Sequence, residues 1–196
     1  MLLQKLNGEN FLTVVEEMKG CLAVKKQQLA DIIEHFVKTT ISSYHSSILI
    51  NLARKLQDAC TNDNENSFRQ MLEGKIYYEI KNRSNDTLNN EKMLELFKWT
   101  SFLGDLFIGE AVSIDLVSCC LELLFENEVS CKRVVDCVNL LLKRVGSKID
   151  CEDSKILEKY FLYFQYIVEQ EVNTYRAIIY KELILLRSTE WKILET

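Results

Sequence analysis

The 196-residue sequence contains no proline and only six glycines. Proline breaks a helix interior because its nitrogen carries no hydrogen and its ring strikes the preceding turn. A chain without it is free to be helical along its whole length. Histidine is nearly absent too: His35 and His45 are the only two, and they fall on separate segments. A histidine-based triad would also need a nucleophile on a loop beside an oxyanion hole, and no glycine-rich phosphate loop occurs. Carboxylate neighbours such as Glu16 and Glu17 diverge around a helix instead of converging on a substrate. The chain is therefore expected not to be an enzyme, and no cofactor or metal is expected. Seven cysteines are present (Cys21, Cys60, Cys119, Cys120, Cys131, Cys137 and Cys151), but their number is odd and no C-x-x-C occurs. Cys119, Cys131 and Cys137 lack the tight paired spacing of a zinc site. Reduced thiols are expected, in a cytoplasmic protein, the buried ones acting as small hydrophobes. No apolar run approaches the roughly 20 residues of a membrane span. The opening Met1-Leu2-Leu3-Gln4-Lys5-Leu6 is too short for a signal peptide, and the residues after it are too polar. The formal net charge of −5 argues against non-specific nucleic-acid binding as the main task, because phosphate neutralisation needs a basic surface. Lys25-Lys26, Lys132-Arg133 and Lys143-Arg144 read as solvated helix faces.

What is there favours helix. Hydrophobic residues make up 47% and charged residues 27%, enough apolar material for a core. Leu, Glu, Lys and Ile dominate, a mix of good helix formers. Apolar residues recur near every 3.6 positions almost throughout. The pattern predicts nine helices, over about 9–20, 24–39, 42–60, 65–83, 90–108, 114–126, 128–145, 151–170 and 174–188. Ser113 is expected to cap the sixth, Gly146 to end the seventh, Asp150 to open the eighth and Asn173 the ninth. The connectors are short, which sets successive helices antiparallel. The longest polar stretches are Thr61–Asn66 and Asn82–Asn90. Helix pairs then begin near 9, 42, 90, 128 and 174, at intervals of about 33–48 residues, within the range of two-helix repeats. Such units cannot bury their faces alone, so they stack. The expected fold is all-α: one domain over 1–196, a solenoid of about four and a half to five antiparallel helix pairs.

Five segments carry a family likeness. Leu2-Leu3-Gln4-Lys5-Leu6-Asn7-Gly8-Glu9-Asn10-Phe11 resembles the opening L-L-N-K-L-T-x-x-x-F of the middle domain of eukaryotic translation initiation factor 4G. Ser67-Phe68-Arg69-Gln70-Met71-Leu72 resembles that family's F-R-x-L-L, and Phe102-Leu103-Gly104-Asp105-Leu106-Phe107 its F-I-G-E-L. Val145-Gly146-Ser147-Lys148-Ile149-Asp150 is similar to V-G-x-x-L-D. Leu183-Ile184-Leu185-Leu186-Arg187-Ser188-Thr189-Glu190-Trp191 is similar to the closing L-x-x-L-R-x-x-x-W. All five fall in the family's order. The resemblance implies a HEAT-type crescent of paired helices that binds and stimulates the DEAD-box RNA helicase initiation factor 4A. It would do so by favouring the helicase's closed state during ribosome recruitment to mRNA. Messenger RNA and initiation factor 3 are further candidate partners, and no membrane is implied. The alternative is an RNA-binding adaptor of the same fold, acting in mRNA decay, splicing or poly(A)-binding-protein interaction, which would need a basic stripe on the folded surface.

The resemblance points to Leu2, Leu3, Lys5, Leu6, Asn10 and Phe11 as helicase contacts. The bland reading is that they pack on the chain's own first repeat. Arg187 and Trp191 are a second candidate contact, since both residue types are enriched at binding hot spots. They could instead pair with a neighbouring carboxylate and cap the last helix pair. The aromatic run Tyr160, Phe161, Tyr163, Phe164 and Tyr166 could stack bases. Without interleaved Arg or Lys it reads as core with a tyrosine at the solvent edge. Tyr44–Ile50 and Tyr180–Leu186 both fit the Y-x-x-x-x-L-hydrophobe pattern used to engage the cap-binding protein. Both fall where the repeats need core, so that partner is not expected through this segment.

Overall fold

The computed structural model describes residues 10–22, 31, 33–38, 46–59, 68–85, 90–128, 133–171 and 173–192. Among them every regular element is a helix: α1 (Phe11–Leu22), α2 (33–38), α3 (Ser46–Ala59), α4 (Phe68–Ser84), α5 (Asn90–Ile108), α6 (Ile114–Glu128), α7 (Val134–Asp153), α8 (Lys155–Gln170) and α9 (Tyr175–Ser188). The fold is all-α. Among the described residues no helix is long and apolar enough to cross a membrane.

The width of each apolar face decides where its helix sits. On α4 the buried hydrophobics Phe68, Leu72, Ile76 and Ile80 recur every fourth residue, a single narrow stripe. On α5 the buried set widens to include Met93, Leu96, Trp99, Phe102, Leu103, Leu106 and Phe107. Accordingly α5 is the central helix, packed against α3, α4, α6 and α7. The helices form two rows. Odd-numbered helices pack each on the next, α1 on α3, α3 on α5, α5 on α7 and α7 on α9. In the other row α4 packs on α6. Aromatic contacts extend that row: Phe36 of α2 meets Phe68 of α4 edge-on at 6.2 Å, and Phe125 of α6 stacks on Tyr160 of α8 at 4.5 Å. One apolar cluster runs between the rows from Val14 to Leu183. Aromatic pairs of this kind add about 0.5–1.5 kcal/mol each beyond the area they bury.

Most expected boundaries agree with the observed ones, and the differences have physical causes. Ser113 does cap α6, its Oγ accepting from the Leu116 N–H at 3.2 Å. Gly146 does not end a helix. It lies inside α7, which runs on to Asp153, so Asp150 does not open α8 either. The reversal comes at Asp153 and Ser154, where Asp153 Oδ1 accepts from the Lys155 N–H at 3.1 Å. Asn173 is not the cap of α9. It takes the left-handed turn at φ 66°, a conformation asparagine tolerates, and the Thr174 hydroxyl caps by accepting from the Ala177 N–H at 3.2 Å. Asn82, Arg83 and Ser84 belong to α4, not to a polar loop, and Ser84 is buried with its hydroxyl donating to the Lys81 carbonyl. The Thr61–Asn66 segment lies outside the described residues.

Candidate interaction surface

The C-terminal corner brings together two of the quoted motifs. Asp150 on α7 accepts from Arg187 Nε at 2.9 Å, Arg187 Nη2 at 2.7 Å and Trp191 Nε1 at 2.7 Å. Trp191 reaches it because α9 ends in a left-handed turn: Glu190 and Trp191 hold φ of 55° and 62°. The Trp191 N–H donates back to the Leu186 carbonyl at 2.8 Å, satisfying a helix end that would otherwise lack a partner. Positive φ strains a bulky residue, so the indole must gain from where it lands. It lands on Gly146, where a Cβ would come within 2.5 Å of Trp191 Cζ2. Its other contact is edge-on to Phe161 at 6.0 Å. The Arg187 guanidinium lies 4.5 Å over the Phe161 ring. Beside this corner a shallow open hollow is lined by Glu158, Phe161, Leu162, Gln165 and Arg187. Arg187 and Trp191 thus hold the last helix against α7 and α8, with Arg187 Nε and Nη2 and Trp191 Nε1 all bonded to Asp150.

A similar lock joins α5 to α7. A Cβ at Gly104 would sit 2.7 Å from Arg144 Cδ, so glycine here lets the arginine lie flat across α5 and pair with Asp105. The turn after α5, with Glu110 at φ 61°, is held by Lys148 Nζ donating to the Phe107 carbonyl at 3.0 Å and by Gln57 donating to the Ala111 carbonyl.

The N-terminal candidates divide. Leu2, Leu3, Lys5 and Leu6 lie outside the described residues. The Asn10 carbonyl accepts from the Val14 N–H at 3.0 Å, starting α1. Phe11 is half-buried and packs against the core. Since α1 packs on α3 while α9 packs on α7 and α8, Phe11 and the Arg187–Trp191 pair sit at opposite ends of the odd row. Among the described residues, Asn10 and Phe11 are not brought into one site with Arg187 and Trp191.

Other sequence candidates fall in the interior. Tyr160, Phe161 and Phe164 are buried, Tyr163 is half-buried, and only Tyr166 is exposed. Tyr180 is fully buried and stacks on Phe164 at 4.1 Å, so Tyr180–Leu186 cannot present its tyrosine to a partner. Tyr44 lies outside the described residues. Cys120 and Cys137 are buried, and burial pushes the Cys120 thiol up to about 12. Cys119 and Cys151 are exposed. Among the described residues no group of His, Cys, Asp and Glu side chains is placed to hold a metal.

One polar centre was not legible in the sequence. Glu128, at the end of α6, is buried, with Oε1 3.0 Å from Arg176 Nη1 of α9. Arg176 also pairs with Glu171 and lies 3.4 Å from the Tyr163 hydroxyl. The Tyr180 hydroxyl sits beside the carboxylate, yet neither it nor Glu128 Oε2 completes a hydrogen bond. Burial raises the Glu128 carboxyl above its usual range, with Tyr180 and Arg176 pulling it back. Burial works to lower the Arg176 guanidinium, and Glu171 and Glu128 outweigh it, so its net shift is upward. Nothing in the spacing of Glu128 and Arg176 announces a pair 48 residues apart.

The outward faces differ in which charges lack an ionic partner. On α6 and α8 the exposed Asp115, Glu126, Glu158 and Glu169 have no ionic partner among the described residues, against Lys155 of the same sort. On α3, α5 and α9 it is Lys55, Lys98 and Lys181 that have none. The described carboxylates of α5, α7 and α9 each have a partner, as in Asp105 with Arg144 and Glu182 with Lys143, though that of Asp136 is the neutral Tyr175 hydroxyl. No family model and no curated protein matches the chain.

Proposed function

We propose that the chain is a HEAT-type helical-repeat scaffold, similar to the middle domain of translation initiation factor 4G, that binds and stimulates the DEAD-box helicase initiation factor 4A. The observation that carries this reading is the way the quoted motifs meet. Gly104 and Asp105 seat Arg144, next to Val145 and Gly146; Gly146 seats Trp191; and Asp150 takes both Arg187 and Trp191. Residues spaced like the family's signature therefore make mutual contacts that lock consecutive helix pairs together, as a signature that specifies a repeat stack would. The two-row packing, each odd helix on the next, supports the same architecture. In this reading the scaffold stimulates by population shift. It favours the helicase's closed arrangement only to the extent that it binds that state more tightly.

The motif positions act within the fold, so the Arg187–Trp191 pair serves first to hold α9, and the helicase contact moves toward the Leu2–Phe11 segment. Calorimetry against initiation factor 4A, with ATPase stimulation in the same preparation, tests the reading. Binding by the wild type that is lost in Leu3→Ala/Phe11→Ala, with helix content unchanged by circular dichroism, is the expected result. No binding by the wild type to any cognate helicase of this type would overturn it. The adaptor reading requires a basic stripe. Lys98 and Lys181 stand on different helices, and the basic side chains of the α7 helix packed on both, Lys143 and Arg144, are paired with Glu182 and Asp105.

A further inference from the structure

The outward faces of α6 and α8 combine an excess of one charge with exposed apolar side chains. On α6 the exposed residues Asp115, Cys119, Glu122 and Glu126 recur at spacings of four, three and four, a single stripe. The whole helix carries four acidic side chains and no basic one. On α8 the matching stripe is Glu158, Leu162, Tyr166 and Glu169, with Leu162 67% and Tyr166 58% exposed. The two stripes form one surface. Glu122 pairs with Lys159 across the seam, and the Phe125 ring lies 4.5 Å from that of Tyr160 and 5.6 Å from that of Phe164. These contacts advance together along both helices, so α6 and α8 run parallel and Glu126 stands level with Leu162.

The apolar pair is thus bordered by Glu126, Glu158 and Glu169, none of which has an ionic partner among the described residues. Nearby basic groups do not offset them. The only ones on α8 are Lys155 and Lys159. Lys159 is held by Glu122, and Lys155 starts the helix, two turns before Leu162. Arg187, which also lines the hollow beside Leu162, is met by both oxygens of Asp150. The balance reverses on α4, the neighbour of α6 in the row, which has four basic and two acidic side chains. The acidic surface therefore ends at α6.

We propose that this face, centred on Leu162 and Tyr166 with Glu126, Glu158 and Glu169, is a docking surface for a basic amphipathic protein segment. Its lysines or arginines meet the carboxylates, and its apolar side chains cover Leu162 and Tyr166. The sign of the charge excludes phosphate-bearing partners, since nucleic acid and anionic lipid headgroups are repelled. The apolar pair argues against a small cation, which would neutralise the carboxylates and leave Leu162 and Tyr166 in water. A protein segment buries both, and hydrophobic patches rimmed by polar groups mark such contacts. The hollow lined by Glu158, Phe161, Leu162 and Gln165 fits one long basic side chain, its stem along Phe161 and Leu162 and its head toward Glu158.

The test uses the full chain and a fluorescent synthetic amphipathic peptide with Leu at helical spacing and Lys between, titrated by anisotropy at low and physiological salt. A control peptide has Gln in place of every Lys. The Lys peptide is expected to bind at least about tenfold more tightly than the Gln peptide, with the advantage shrinking as salt rises. Glu126→Lys/Glu158→Lys is expected to remove that advantage. Glu17→Lys/Asp31→Lys changes the net charge equally at exposed positions outside α6 and α8, and is expected to leave most of it. Leu162→Ala/Tyr166→Ala should weaken both peptides alike. Absent binding, equal binding of the two peptides, or an equal loss in the two charge-reversed chains would overturn the proposal. So would spermine binding that Glu126→Lys/Glu158→Lys abolishes, without any peptide binding, which would give the carboxylates to small cations. Concentration-dependent self-association abolished by the same reversal, again without peptide binding, would overturn it too and give the face to a second copy of the chain.

Discussion

Replacing Gly146 by alanine probes the C-terminal corner most directly. In an open helix interior the change stabilises by about 0.5–1 kcal/mol, because alanine has less backbone freedom to lose. Here the added carbon would come within 2.5 Å of Trp191 Cζ2 and nearer still to other ring atoms, so the indole must leave. Leaving gives up the 2.7 Å hydrogen bond to Asp150 and the edge contact with Phe161. A hydrogen bond to a charged acceptor contributes about 1.5–3 kcal/mol and an aromatic pair about 0.5–1.5 kcal/mol. Against the propensity gain the net cost is about 1–4 kcal/mol, and the water access of both Asp150 and Trp191 places it in the lower part, about 1–2 kcal/mol. For a chain of this size that is a fall in Tm of about 2–8 °C. The decisive comparison is the Trp191→Ala background. There the obstruction is gone, and Gly146→Ala should reverse sign and stabilise by about 0.5–1 kcal/mol. Urea midpoints of the four proteins at equal slope read this cycle. A glycine needed for a left-handed helix end would instead cost about 1 kcal/mol in both backgrounds. A penalty unchanged by removing the indole would therefore refute the packing argument.

Asp150→Ala strands Arg187 and the Trp191 N–H together, and should lower stability by about 2–4 kcal/mol in the same urea assay. If Asp150→Ala unfolds at the wild-type midpoint, the corner does not hold α9. Thr174→Ala removes the cap of α9 and should cost about 1 kcal/mol. Serine at the same position should restore most of it. Glu128 sets a pH dependence whose sign follows from its raised carboxyl pKa. The folded state then binds the proton more tightly than the unfolded chain, so this group's contribution to stability rises as pH falls from neutral through the folded pKa, and levels off below the unfolded value near 4.5. Glu128→Gln, which stays neutral, should lie within about 1 kcal/mol of wild type at neutral pH and lack this acid-side gain. Parallel pH curves for the two proteins would show that Glu128 is not the group responsible.

The sequence by itself determined the helices, because their causes are local. Stripes such as Phe68-Leu72-Ile76-Ile80 repeat within a few residues, and the Ser113 cap acts three residues along the chain. The pairing of neighbouring helices was legible too, since short connectors leave little choice but to fold back. Tertiary structure alone decided what Gly146 and Asp150 do. A glycine followed by a polar residue reads locally as a helix end, and only a tryptophan arriving from 41 residues away turns the one into a seat and the other into an acceptor. The same holds for Arg187 and Trp191, which look like exposed hot spots until Asp150 and Phe161 are placed beside them. The buried Glu128–Arg176 pair and the unpartnered carboxylates on α6 and α8 were hidden for one reason. Each depends on which helices become neighbours and which faces turn outward, a matter of three-dimensional order that composition and period along the chain do not encode.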